Sequence, residues 1–129
     1  MRLLIDTHIV LWLIEGDLRL SQQARNLIEA VENDIFISVA SLWEMAIKIS
    51  LGKLPTPGGH SMVELAQHLG TLGFQFLPIQ AKHLDELKLL DWHHRDPFDR
   101  VIIAQAIVES LTFVTDDQMI PQYPLKVVK

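Results

Sequence analysis

Several acidic residues stand where a short α/β chain would place ligand chemistry. Asp6 ends the apolar run Leu3-Leu4-Ile5, and Asp116 and Asp117 follow Thr112-Phe113-Val114-Thr115. Glu44 and Asp99 stand near the starts of two otherwise apolar helical segments. In open α/β sheets, ligands bind beyond the carboxyl ends of the strands. If the first and fourth strands are neighbours, four carboxylates converge on one point. Converging acids repel one another, and a hard divalent cation relieves the repulsion. Oxygen donors suit Mg²⁺ or Mn²⁺. Such an ion lowers the pKa of a water, orients it and stabilises charge on a phosphate during in-line displacement. A carboxylate left free of metal accepts the water's proton.

Each acid also has a structural role open to it. Asp6 can cap the helix that follows the first strand. Glu44 lies three residues after Ser41, a capping-box spacing, and four before Lys48, which permits a helical ion pair. Asp96-Pro97-Phe98-Asp99 reads as a helix start, with Asp96 as the N-cap, Pro at the first position and an acid in the first turn. Asp99 then favours the helix dipole. One of Asp116 and Asp117 can be a turn residue. The histidines carry weaker signals. His93 and His94 read as a solvated connection, His8 as a pocket wall, and His60, His68 and His83 as ordinary surface or helix residues. Trp12, Trp43 and Trp92 read as core or partner contacts rather than base-stacking platforms.

The elements that position these acids are legible as alternating periods. Short apolar runs at 3–5, 35–37, 74–77 and 112–115 read as buried strands, with a fifth at 126–128. Between them, helical spacing runs over 9–15, from an N-cap at Ser21 to about 32, and over 39–51, 61–72, 81–90 and 96–110. Ala24, Leu27, Ile28 and Val31 are the apolar face expected of the second helix. Wholly apolar strands alternating with helices indicate an α/β fold with a parallel sheet covered on both faces. The loop at 55–59, rich in Pro and Gly, is too short to divide the chain, so 1–129 reads as a single domain.

Composition narrows the function. The chain has 129 residues, 49% hydrophobic and 21% charged, which suits a folded domain with a real core. It has no cysteine, so nothing suggests a disulfide framework or a thiolate metal site. The apolar stretch before Asp6 is too short for a signal peptide or a membrane span, and a soluble, cytoplasmic protein is the expectation. A net charge of −5 argues against binding nucleic acid by charge alone. It does not argue against a metallonuclease, because bound divalent metal inverts the local field.

Four ordered blocks resemble one family. They are Leu4-Ile5-Asp6-Thr7-His8 with Leu11-Trp12; 38–48 with Gly52-Lys53-Leu54; His94-Arg95-Asp96-Pro97-Phe98-Asp99-Arg100 with 103–106; and Val114-Thr115-Asp116-Asp117. Together they resemble PIN-domain proteins, and within them the VapC-type toxins of toxin–antitoxin pairs. The likeness runs over nearly the whole chain. It implies a three-layer fold with a central parallel sheet of about five strands. It also implies a Mg²⁺- or Mn²⁺-dependent endoribonuclease with catalytic acids at Asp6, Glu44, Asp99 and Asp117. The family's fourth acid usually stands two residues after the threonine, which selects Asp117 over Asp116. Thr7 and Thr115 fall where the family uses supporting hydroxyls. The resemblance further implies a small antitoxin partner and a homodimer.

On this reading Asp6 and Asp99 bind the main ion, Glu44 and Asp117 complete the pocket, and Arg95, Arg100, Lys48 and Lys53 are candidates to hold RNA phosphates. Two rivals stand beside it. A receiver-like signalling module also gathers aspartates at strand ends, but it needs an acid pair after the first strand, where this chain has Asp6-Thr7-His8. A catalytically silent binding protein would keep the fold and the partner without turnover.

Overall fold

Leu3, Leu4 and Ile5 are fully buried because β1 (Arg2–Ile5) lies at the centre of a sheet covered on both faces. The computed structural model describes residues 1–129. In chain order, β1 is followed by α1 (Thr7–Glu15), α2 (Gln22–Glu29), β2 (Asp34–Ser38), α3 (Val39–Ser50), α4 (Met62–Thr71) and β3 (Gln75–Leu77). Then come α5 (Ala81–Leu87), α6 (Pro97–Val108), β4 (Thr112–Val114) and β5 (Val127–Val128). The sheet order is β3-β2-β1-β4-β5, and every pairing is parallel.

Alternation along β1 divides the core. Leu3 and Ile5 pack into one apolar cluster with Ile9, Val10 and Trp12 of α1, Ala24 and Ile28 of α2, and Leu65 and Leu69 of α4. Leu4 points the other way, into a cluster with Val101 to Ala104 of α6, Phe113 of β4 and Tyr123. Period-two strands between two helical layers give the three-layer architecture expected of the sequence.

The topology places the site. From β1 the chain builds outward to β2 and then β3. It then crosses back over the sheet, through α5 and α6, to lay β4 on the other side of β1. The strand order therefore reverses between β1 and β4. A crevice forms at such a reversal, beyond the carboxyl ends of the strands. The residues just after β1 and β4 are Asp6 and Thr115 to Asp117. The backbone N–H of Asp6 donates to Val114 O at 3.0 Å, which locks the two strand ends together.

Some expectations shift by a turn or less. α1 begins at Thr7 because Asp6 caps it. α2 stops at Glu29, since Ala30 is already extended, so Val31 lies almost wholly in solvent instead of on the apolar face. α5 ends at Leu87 and α6 at Val108. His83 is not a surface residue. It is fully buried, its Nδ1 accepts from Gln80 N at 2.9 Å, and its Nε2 lies 3.0 Å from Glu109 Oε1. The start of α4 is a complete capping box. Ser61 Oγ accepts from Glu64 N at 3.1 Å, and the Glu64 carboxylate accepts from Ser61 N at 3.0 Å. Ser61→Ala is therefore expected to cost about 1 kcal/mol of unfolding free energy in a denaturant titration.

Candidate active site

Asp6 carries both readings that its sequence allows. It is the N-cap of α1, with Oδ1 accepting from Thr7 N at 2.7 Å. Its Oδ2 accepts from the Thr115 hydroxyl at 2.7 Å, and the residue is 1% exposed. Burial pushes its carboxyl above the usual range. The Thr115 hydroxyl, His8 and the Thr7 N–H pull it down, while Glu44 raises it further. His8 is exposed, with Nδ1 4.0 Å from Asp6 Oδ2. Thr115 is the tie between two acids, because its Oγ1 also accepts from Asp117 N at 3.1 Å. Thr7 Oγ1 donates to Ser41 Oγ at 2.9 Å, joining α1 to α3 three residues before Glu44. Both threonine hydroxyls are thus engaged, Thr115 with Asp6 and Asp117 and Thr7 with Ser41.

Glu44 is buried within α3, with Oε2 3.0 Å from Lys48 Nζ. The i,i+4 ion pair expected from the sequence is present. The capping box is not: Ser38 caps α3, accepting from Ala40 N, and Ser41 is turned to Thr7. Glu44 Oε1 is buried and has no hydrogen-bond partner. A buried carboxylate oxygen without a partner carries a desolvation cost.

Asp99 sits in the first turn of α6, 7% exposed. Its carboxyl is pushed up to about 8, mainly by burial, then by the charges of Asp6, Asp96, Glu44 and Asp117. The charges of Asp6, Glu44 and Asp117 therefore reach Asp99. Asp96 is the cap that the sequence indicates, with Oδ1 accepting from Phe98 N and Asp99 N. The doubled Asp116-Asp117 separates cleanly. Asp117 acts on Asp99, whereas Asp116 is exposed and its charge acts on Arg19.

The structure adds His94, which the sequence offers only as part of a solvated connection. One ligand atom from each of His94, Asp99 and Asp117 falls within 4.8 Å of the others. His94 Nε2 lies 3.4 Å from Asp99 Oδ2 and has no hydrogen-bond partner, and Nδ1 is 2.7 Å from the Tyr123 hydroxyl. Nothing in the sequence spacing signals this, since Tyr123 is 29 residues away.

Among the four candidate phosphate contacts, Lys48 is paired with Glu44, while Lys53 and Arg95 are exposed. Arg100 departs from expectation. It is 3% exposed, and its guanidinium donates to Leu90 O, Asp91 O and the Tyr123 hydroxyl. It braces the connection before α6 rather than reaching into solvent.

The donor set fits a divalent cation. Clustered carboxylates, one pushed up to about 8 by burial and its neighbours, an orphaned Glu44 oxygen and an unpartnered His94 nitrogen all gain from a hard or borderline metal ion.

Comparison with known proteins bears on the fold and the family. The PIN-domain family model matches residues 3–126. No curated protein sequence matches the chain. Among solved structures, the chain is similar to one in VapBC2 from Rickettsia felis bound to a DNA fragment from their promoter. There the TM-score is 0.73 at 19% identity, over 99% of this chain and 98% of that one. A toxin–antitoxin complex from Klebsiella pneumoniae gives a TM-score of 0.65 at 20% identity, over 98% and 95%. VapBC-1 from nontypeable Haemophilus influenzae gives 0.67 at 16%, over 100% and 98%. These identities speak for a shared fold, and the family match spans almost the whole sequence. The chain belongs to the PIN-domain family.

Proposed function

We propose that the chain is a Mg²⁺- or Mn²⁺-dependent endoribonuclease and the toxin of a toxin–antitoxin pair. The observation that supports this reading is the buried Asp99 carboxyl at the strand-order reversal, pushed up to about 8 by burial first and then by the charges of Asp6, Asp96, Glu44 and Asp117. These four carboxylates, with His94 beside Asp99 and Asp117, would hold the ion, which when bound activates a water and stabilises charge on the scissile phosphate. The protein's own groups prepare the pocket. Thr115 fixes Asp6 and Asp117 relative to each other. Lys48 holds one oxygen of Glu44 and leaves the other free to accept a proton or bind. Asp99 would hold the ion as its deprotonated carboxylate. Lys53 and Arg95, both exposed, would meet RNA phosphates.

The structural neighbours come from VapBC and toxin–antitoxin complexes, which supports a cognate antitoxin protein as partner. Trp43 and Ile47 of α3 and its C-cap Leu51 leave an apolar stripe exposed, a surface suited to the antitoxin or to a second copy in a homodimer. No helix is long and apolar enough to cross a membrane, and we place the activity in the cytoplasm. The receiver-like alternative loses its ground to the family match.

The deciding experiment is cleavage of labelled RNA by the purified chain with Mg²⁺, with Mn²⁺ and with excess chelator. Cleavage that needs the ion and stops with chelator is expected. A chain that binds its antitoxin yet cuts no RNA under any of these conditions is the silent binding protein instead.

A further inference from the structure

We propose that Trp92, backed by Arg100 and flanked by Lys88 and Arg95, is a nucleobase-stacking subsite for single-stranded RNA beside the acidic pocket. The inference rests on the nuclease reading above and names where a nucleotide next to the scissile phosphate would dock.

Trp92 is neither a core residue nor a loose surface one. The residue is 73% exposed, yet the Arg100 guanidinium carbon lies 3.8 Å from the ring centroid. Arg100 cannot swing away. It is buried and donates to Leu90 O at 3.2 Å, Asp91 O at 2.8 Å and the Tyr123 hydroxyl at 3.1 Å. An exposed aromatic ring held against a fixed cation is a preorganised stacking surface. Cation–π contact with Arg and stacking on aromatic faces are the two means by which single strands are held without sequence readout.

The ring borders a cavity of about 290 Å³. Leu84 and Leu87 form an apolar wall, Lys88, Arg95 and Arg100 supply the charge, and no carboxylate lines it. On a chain of net charge −5, a hollow with three cations and no acid is matched to an anion. Lys88 is shared on its solvent side with Asp85 at 3.2 Å, an exposed pair that an incoming phosphate can replace. The size suits one base with its sugar rather than a helix of a protein partner.

Its location completes the case. Asp99 and Arg100 are consecutive in the first turn of α6, so the acids and the cationic hollow occupy neighbouring faces of one helix start. His94, which reaches Asp99, is two residues beyond Trp92. On this proposal a strand with a phosphate at the acids passes Trp92 with an adjacent base.

The test uses the full-length chain carrying Asp6→Asn, so that RNA is bound without being cut. Affinity for a short labelled single-stranded oligoribonucleotide is measured by fluorescence anisotropy, with Trp92→Ala and Trp92→Phe added in turn. Trp92→Ala is expected to weaken binding about 5- to 150-fold, the range for losing one base–aromatic stack. Trp92→Phe keeps most of the affinity. An oligonucleotide with an abasic position opposite the ring abolishes the difference between Trp and Ala. In the otherwise wild-type enzyme the loss appears in KM rather than kcat. Equal affinities for the Ala variant and its parent overturn the subsite. So does a Trp92→Ala chain that binds RNA normally but loses its antitoxin, which gives the face to protein. Failure of the nuclease reading looks different: the wild-type chain cuts no RNA with any metal, whatever the residue at 92. Melting curves of both variants confirm that the fold persists.

Discussion

Asp6→Asn is expected to lower metal-dependent RNA cleavage by on the order of 10²- to 10⁴-fold, the range for losing a group that acts directly in the reaction. The substitution is nearly isosteric, and the surroundings tolerate it. Asn keeps an oxygen for the Thr7 N–H that Asp6 now accepts, and its amide can donate to the Thr115 hydroxyl once that group rotates. Burial already disfavours the charged Asp6 carboxylate, so its removal does not weaken the folded state of the metal-free protein. Loss of cleavage with an unchanged or raised melting temperature is the expected pair of results. Unchanged cleavage removes Asp6 from the catalytic set.

The second large effect concerns Asp99 and is opposed by metal. Its carboxyl sits near 8 in the folded protein and near 4 in an unfolded chain. Between those values the native state holds a proton that the unfolded state has released, so stability falls as pH rises through the window. The metal-free protein is expected to melt higher at pH 5 than at pH 8. Asp99→Asn removes the cost of burying this carboxyl and its repulsion with Asp6, Asp96, Glu44 and Asp117. At pH 7.5 it should raise the Tm of the chelator-treated protein. Addition of Mn²⁺ works in the opposite direction. An ion that binds only the native wild-type chain adds about 2.7 kcal/mol at a concentration one hundred times its Kd, whereas the Asn variant gains little. Calorimetry with and without Mn²⁺ at the two pH values measures all four states. A wild-type chain whose Tm ignores both pH and metal contradicts the shared pocket.

Much of this site is legible in the chain because local rules place its parts. An apolar run ending in Asp6, a second ending at Thr115, and the start Asp96-Pro97-Phe98-Asp99 each fix a residue relative to its own strand or helix. The Glu44–Lys48 pair is likewise local and is present as spaced. Where the reading departs, the deciding contact is distant in sequence. Ser41 has the right spacing to cap with Glu44, but Thr7 of another helix takes its hydroxyl and Ser38 caps instead. Arg100 looks like a free cation until the carbonyls of Leu90 and Asp91 and the Tyr123 hydroxyl enclose it. His94 joins the acids because Tyr123, far along the chain, turns its ring.

The residue pattern alone determined which acids stand at strand ends and helix starts, and therefore that a carboxylate pocket was available once the strands were ordered. The tertiary structure decided the rest. Placing β4 beside β1 brought Thr115 onto Asp6, set Asp117 rather than Asp116 against Asp99, and raised Asp99 to about 8. The reason is physical: periodicity and capping act over a few residues, whereas charge repulsion and desolvation depend on distance and burial, which exist only after the sheet has closed around them.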